Sequence, residues 1–166
     1  MKEVTVRRFF IIGLLATAFA AVSATAQGQA TDPWVGTWKT DLPKSTFSPG
    51  PTPKVAATVK IESASGGAIK ATIDGADAQG KPTHTETVGA FDGKDNPVNG
   101  APAPNTTTAF KRIDARTLET QGKVSGKPTV ATRVVVSSDG MTMTATQTGQ
   151  TPQGQTIKNV IVLEKQ

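Results

Sequence analysis

No group of residues in this sequence has the types and spacing of a known catalytic or metal-binding motif. The sequence contains no cysteine, no tyrosine and one histidine, His84, which stands between Thr83 and Thr85. A metal site built on one histidine would need several carboxylates from elsewhere in the fold. Nucleophilic and acid–base mechanisms would need neighbouring partners that the spacing does not supply. The sequence therefore predicts no catalytic residue, no metal site, no cofactor and no enzymatic activity, with His84 exposed on a polar strand.

Two other polar features have simpler explanations than a binding site. Asp92, Asp95 and Asn96 surround Gly93, but their spacing lacks the later bidentate glutamate of a calcium loop. Aspartate, asparagine and glycine are frequent in turns, so we predict a turn here. Arg133 interrupts a valine-rich segment and could bind an anion inside the fold. Because side chains alternate along a strand, we expect Arg133 to point outward instead.

The elements that would position these residues are β-strands. The chain after residue 26 is rich in Thr, Val, Ala, Gly and Pro, and β-branched residues pack well on pleated sheets. Turn signals recur about every 11 to 14 residues, the spacing of strands joined by hairpins. Between the turns, apolar and polar residues alternate, as in Ile69, Ala71 and Ile73 against Lys70 and Thr72. Each predicted strand thus has one apolar face, which we expect to be buried.

These strands predict an all-β domain. We expect an antiparallel up-and-down meander of about nine strands, within a range of roughly 8–10, judged from the turn spacing. A meander with one buried face removes its exposed edges by closing into a barrel. A two-sheet β-sandwich is the alternative.

The first 26 residues have the composition of a signal peptide. Basic residues precede an apolar stretch over residues 9–22, and Ala24 and Ala26 supply the small-x-small cleavage pattern. A membrane anchor would need about 20 apolar residues, and the stretch is followed by Gln27 rather than by basic residues. We therefore predict cleavage after Ala26 and a periplasmic or secreted protein.

The export route and the domain boundaries follow from the same region. Arg7 and Arg8 resemble a twin-arginine signal, but Val6 occupies a position where such signals usually carry Ser or Thr. This favours ordinary Sec export. The predicted organisation is a signal peptide over residues 1–26, a short flexible segment over residues 27–33, and a single barrel domain over residues 34–166.

Charge and composition exclude several partners. The net charge is +5, and removal of residues 1–26 leaves 15 Lys and Arg against 12 Asp and Glu, or +3. The basic residues are scattered singly, without the dense basic face or the stacking aromatics of a nucleic-acid groove. Charged residues at outward strand positions argue against a stable membrane-inserted barrel after cleavage. The absence of cysteine excludes disulfides and lipid attachment to cysteine.

The start of the predicted domain carries a family resemblance. Gly36-Thr37-Trp38 resembles the G-x-W signature that opens the first strand of lipocalin-like (calycin-type) barrels. The resemblance implies that Gly36 and Trp38 form the plug of a closed end, and that the other end holds a small apolar ligand. The chain departs from secreted lipocalins by having no cysteine and no arginine in its last strand to cover the tryptophan. It also looks like small exported bacterial proteins that open with G-T-W-K and continue into a Pro-rich segment, here residues 45–51.

Two functional hypotheses remain open, and an enzyme whose site is assembled only by folding and is not visible in the sequence is a less favoured third. The first is a non-enzymatic carrier or sensor whose barrel binds a small hydrophobic molecule, with Ile73, Phe110, Met141 and Met143 as candidate ligand-binding residues. The second is an envelope protein-interaction or structural module with a solid core. In that case the Pro-rich segments at residues 48–53 and 97–104 would be contact loops, and the sequence does not identify the protein partner.

Overall fold

A computed structural model of the protein describes residues 32–77, 79–150 and 154–166. The predicted signal peptide, its cleavage site after Ala26 and most of the predicted segment 27–33 lie outside these residues. In the described part, no helix is long and apolar enough to cross a membrane. The strands are β1 (Gly36–Thr46), β2 (Thr58–Ser63), β3 (Ile69–Ala76), β4 (Pro82–Gly89), β5 (Asp92–Pro97), β6 (Thr106–Arg112), β7 (Thr117–Val124), β8 (Lys127–Val136), β9 (Thr142–Gln150) and β10 (Thr156–Lys165).

The strands form one antiparallel sheet rather than two. Its order is β4-β3-β2-β1-β10-β9-β8-β7-β6-β5, so adjacent strands in the sheet are consecutive in sequence except β1 and β10, and β4 and β5 are the two edges. The sheet curls until β4 and β5 meet, which makes a nearly closed barrel. The predicted up-and-down meander is therefore confirmed, and the sandwich alternative is wrong.

Strand β5 is the element that the sequence did not predict. We expected a turn at Asp92 to Asn96, but these residues pair with β6 across a register shift between Asp92 and Asp95. The shift is a bulge that includes Gly93, whose φ of 77° suits glycine. No residue of β5 is buried, as expected for a polar strand at the sheet edge. Apolar and polar residues do not alternate in β5, and its residues are types that are common in turns.

One end of the barrel is filled with apolar side chains. The strand registers place the starts of β1, β3, β7 and β9 at this end, together with the ends of β2, β4, β6, β8 and β10. We call it the closed end, because its core leaves little space. The buried core residues are Trp34, Trp38, Ile61, Ile69, Phe110, Leu118, Val134, Val136, Met143, Ala145 and Leu163.

Two fully buried tryptophans occupy the closed end. The indole Nε1 of Trp38 donates a hydrogen bond to the carbonyl oxygen of Trp34 at 2.9 Å, which ties the segment before β1 to the first strand. The Nζ of Lys165 in β10 lies 5.1 Å from the centre of the Trp38 ring. A Cβ at Gly36 would stand 2.7 Å from Cε of this lysine. The glycine of the G-x-W pattern thus gives the lysine room to cover the tryptophan.

A second cation supports the same end. The guanidinium of Arg112 pairs with the carboxylate of Asp32 and lies 4.2 Å from the centre of the Phe91 ring. The other carboxylate oxygen of Asp32 accepts a hydrogen bond from the backbone N–H of Trp34. Asp32 therefore connects the tryptophan-bearing segment to β6, on the far side of the barrel from β1.

The barrel closes at a seam between β4 and the segment that follows β5. Glu86 and Asn99 exchange two backbone hydrogen bonds, of 3.0 and 2.8 Å. The hydroxyl of Thr87 donates to the carbonyl oxygen of Pro97 at 3.0 Å. At Gly100 the φ is 78°, and a Cβ there would overlap the carbonyl oxygen of His84. The seam is therefore a short contact that depends on the small size of this glycine.

We expect Gly100→Ala to lower the free energy of unfolding by about 1–3 kcal/mol, because the alanine must both adopt a positive φ and displace β4. Denaturant titration would measure the loss. Amide exchange at Glu86 and Asn99 should accelerate in the same variant. Gly126→Ala is the matched control, since Gly126 also has a positive φ but no atom lies within 4 Å of the position that its methyl group would take. Equal losses in both variants would show that the seam is not closely packed.

Candidate functional site

The interior of the barrel contains a cavity above the core of the closed end. Its volume is about 360 Å³, and it is lined by residues of every strand except β5 and by three residues that lie outside the strands, Trp34, Ala57 and Val98. Trp34, Phe110, Leu118 and Met143 form the part nearest the closed end, where each is at most 5% exposed. Ile73 lines the opposite part and is 44% exposed, so the cavity reaches solvent on that side.

The apolar lining follows from the alternation of the strands. Inward positions near the closed end carry large side chains such as Ile61 and Leu118, whereas several inward positions farther from that end carry smaller ones, such as Ala71 and Thr132. This change in side-chain size contributes to the space above the core. A barrel of about eight strands has just enough interior for side chains or for one small ligand, and the interior widens with the number of strands.

The mainly apolar lining also contains polar groups that have no hydrogen-bond partner among the described residues. Among the described residues, no hydrogen-bond partner is found for the hydroxyls of Thr40, Thr85, Thr108, Thr120 and Thr132, and all five residues line the cavity. The buried indole N–H of Trp34, at the closed end of the cavity, also lacks a partner there. The hydroxyls can donate to or accept from a bound molecule, and the indole can only donate.

Charge is nearly absent from the cavity wall. In the part of the chain that the structure covers, Glu86 is the one charged residue that lines it. Its carboxylate accepts a hydrogen bond from Nζ of Lys70 at 2.7 Å, and this bond raises the pKa of Lys70 above its ordinary value. No lysine, arginine or histidine of the described residues lines the cavity. The site is therefore suited to an uncharged molecule.

Three of the four candidate ligand-binding residues line this cavity. They are Ile73, Phe110 and Met143, which come from β3, β6 and β9. Met141 does not line it and is 53% exposed. The expectation that both methionines share the interior face is corrected by the turn before β9, in which Asp139 accepts a hydrogen bond from the backbone N–H of Met141. Met141 precedes the regular strand, which begins at Thr142.

The sequence did not point to the polar residues of the lining. Gln147 follows Met143 and Ala145 in the inward phase of β9. Thr132 stands beside it on β8, and Thr120 stands beside Thr132 on β7. The sequence does contain one signal, a polar residue at an inward position of a strand. That signal identifies a polar group of the cavity only when the registers of β7, β8 and β9 are known.

The chemistry-bearing residues outside the barrel are engaged with partners. His84 is 62% exposed, as predicted, and its Nδ1 lies 2.7 Å from Oδ1 of Asp74. Arg133 is also exposed, as predicted, and pairs with Glu119 at 2.8 Å. Within the described ranges, no group of three or more His, Asp and Glu residues is placed to hold a metal ion.

A larger depression of about 580 Å³ lies on the outer face of β6 to β9. Its wall includes the Arg133–Glu119 ion pair, together with small side chains such as Ala109 and Ala131. The charges of this pair already satisfy one another. The interior cavity, in contrast, combines apolar walls with polar groups that lack partners, and it is the better candidate site.

Comparison with known proteins identifies the fold. No protein-family model and no curated protein matches the chain. The crystal structure of wild-type fluorescent protein UnaG is similar, with a TM-score of 0.55 and 13% identity over 80% of this chain and 97% of that one. Two single-residue mutants of UnaG give the same TM-score at 14% and 13% identity, over 81% of this chain and 96% of theirs. At this identity the similarity establishes a lipocalin-like barrel fold and nothing further.

Proposed function

We propose that this protein is an exported, non-enzymatic carrier or sensor that binds one small, largely apolar molecule inside its barrel. The observation that supports the proposal most directly is the interior cavity of about 360 Å³. Ligand sites are usually about 300–1,000 Å³ and are lined mainly by apolar side chains with a few polar groups. The cavity matches this description at the small end of the range.

The composition of the cavity wall favours a ligand over water. The cavity reaches solvent beside Ile73, so water can enter it, but water gains few hydrogen bonds from walls that are mainly apolar. A largely apolar molecule that displaces this water removes apolar surface from solvent, which is favourable by about 25 cal/mol per Å².

The remaining parts of the proposal are supported by the sequence and by the surface. The signal-peptide features of residues 1–26 support export of the protein through the Sec route to the periplasm or the medium. The non-enzymatic character is supported by outer carboxylates that pair with lysine, as Asp95 does with Lys123 at 2.8 Å. Ile73, Phe110 and Met143 are the proposed ligand contacts, and Met141 is omitted.

A titration with N-phenyl-1-naphthylamine tests the proposal. This dye is uncharged, mainly apolar and fluorescent in dry surroundings. We expect saturable 1:1 binding with a Kd on the order of 1–10 µM, a moderate affinity for a ligand of this size. The same titration in denaturant is the control. A fluorescence change that is absent, or that rises without saturation, would contradict binding in the barrel.

A further inference from the structure

Three polar residues of the cavity wall, Thr120, Thr132 and Gln147, lie in one row across the sheet, and Asn159 extends the row onto β10. Thr120 pairs with Thr132 between β7 and β8, and Thr132 pairs with Gln147 between β8 and β9. Gln147 in turn pairs with Asn159 of β10. Paired residues on neighbouring strands stand side by side at the same height of a sheet. The row is therefore a single belt, defined here as Thr120, Thr132, Gln147 and Asn159.

Hydrogen bonds fix the orientation of the two amides in this belt. The backbone N–H of Ser48 donates to Oδ1 of Asn159 at 3.0 Å. Because a backbone N–H can only donate, the amide of Asn159 must turn its oxygen to Ser48 and its Nδ2 the other way. That Nδ2 donates to Oε1 of Gln147, also at 3.0 Å. The oxygen of Gln147 is therefore occupied.

The consequence is a free donor in the cavity wall. Nε2 of Gln147 carries two hydrogens, and no acceptor for them is found among the described residues. Gln147 itself lines the cavity. The amide cannot exchange its oxygen and nitrogen without breaking the bond to Asn159. An acceptor that enters the cavity is the natural partner of this amide nitrogen, and the hydroxyls of Thr132 and Thr120 lie next in the row.

We infer that the ligand is uncharged and carries a hydrogen-bond acceptor, such as a ketone, ester, amide or ether oxygen, that accepts from Nε2 of Gln147. The apolar remainder of the ligand then lies toward Phe110 and Met143. This inference rests on the proposed function and specifies the ligand class of the same site.

The lack of a cationic side chain in the cavity wall, among the described residues, indicates that the ligand is uncharged. A carboxylate moved out of water needs a paired cation or several donors, and without them its burial costs several kcal/mol. Among the described residues the cavity offers amide, hydroxyl and indole donors but no cation. A neutral oxygen, which loses less hydration, fits the belt better than an anionic one.

Matched probes separate the ligand class from binding itself. We would measure displacement of N-phenyl-1-naphthylamine by 2-undecanone, by 2-methyl-1-undecene and by undecanoate at pH 8. The ketone and the alkene share their shape and differ in the acceptor oxygen. Nε2 of Gln147 can add one hydrogen bond to the ketone and none to the alkene, so the ratio of ketone affinity to alkene affinity should be about five- to tenfold higher in the unaltered protein than in a variant without this donor. Undecanoate should displace the dye at least tenfold less well than the ketone.

Variants of one strand assign the effect to Gln147. Gln147→Met keeps the length of the side chain and removes the donor, so the ratio of ketone affinity to alkene affinity should fall about five- to tenfold, with each affinity calculated from the Kd of the dye for that variant. Gln150→Met is the control, because Gln150 lies on the same strand but is exposed and does not line the cavity.

The outcomes distinguish the ligand class from the carrier function. If the dye does not bind, the proposed function fails. If the dye binds but the ratio of ketone affinity to alkene affinity is the same in Gln147→Met as in the unaltered protein, the inference fails and the carrier remains. Tighter binding of undecanoate than of the ketone would equally overturn the inference.

Discussion

Replacing Trp38 by alanine is expected to lower the free energy of unfolding by about 3–5 kcal/mol, the usual cost of removing a buried large aromatic side chain. Trp38 is completely buried, its indole N–H binds the carbonyl of Trp34, and Lys165 covers its ring. The substitution would remove all three interactions at the closed end. Since whole domains are stable by only about 5–15 kcal/mol, the variant should be near its limit of folding.

Equilibrium unfolding in guanidinium chloride, followed by far-ultraviolet circular dichroism, would measure this loss. Trp38→Phe is the matched variant, because it keeps an aromatic ring but cannot donate to Trp34. It should be destabilised by about 1–2 kcal/mol, the cost of one lost hydrogen bond and some packing. A loss below about 1 kcal/mol in the alanine variant, the level of an ordinary substitution, would show that Trp38 is not a main support of the barrel.

Met143→Trp is expected to weaken binding of N-phenyl-1-naphthylamine at least tenfold. Met143 is 4% exposed and lines the cavity, so the larger indole must enter space that the dye would use. Overpacking of this kind costs about 1–3 kcal/mol of stability, which a folded barrel can tolerate. The dye titration measures the affinity, and circular dichroism checks that the fold is retained.

Met141→Trp provides the control for this experiment. It makes the same chemical change two residues earlier, at a side chain that is 53% exposed and outside the cavity. Its dye affinity should equal that of the unaltered protein. If Met143→Trp fails to fold, Ala145→Phe tests the same space, since Ala145 also lines the cavity. Equal effects of the substitutions at residues 141 and 143 would place the dye outside the barrel.

The strand pattern allowed most of the fold to be predicted. Alternation as clear as that of Ile69, Ala71 and Ile73 identifies both a strand and its inward face, because the side-chain period of a strand is 2. This information is local, and it was enough to predict the antiparallel meander and its closure. Strand β5 escaped prediction because its residues, from Asp92 to Pro97, are all polar, glycine or proline. Its pairing with β6 creates a strand that its own composition does not indicate.

The candidate site was only partly predictable, since a site depends on relations between distant strands. Phe110 and Met143 could be chosen from their size and phase, but the phase of Met141 was interrupted by the turn at Asp139. The role of Lys165 over Trp38 depends on the pairing of the first and last strands. The donor of Gln147 depends on Asn159 and on the backbone of Ser48, which are distant in sequence. These contacts depend on the pairing registers of strands in the folded barrel, which the sequence alone does not specify.

Native mass spectrometry of the protein purified without denaturation from its natural host would test most directly whether the barrel carries a ligand. We expect a complex heavier than the polypeptide by the mass of one small, uncharged, oxygen-containing molecule, which is released when the protein is denatured. A bare polypeptide mass in the native state, together with no saturable binding of N-phenyl-1-naphthylamine, would contradict the carrier. That result would favour an interaction module that uses the Pro-rich loops at residues 48–53 and 97–104.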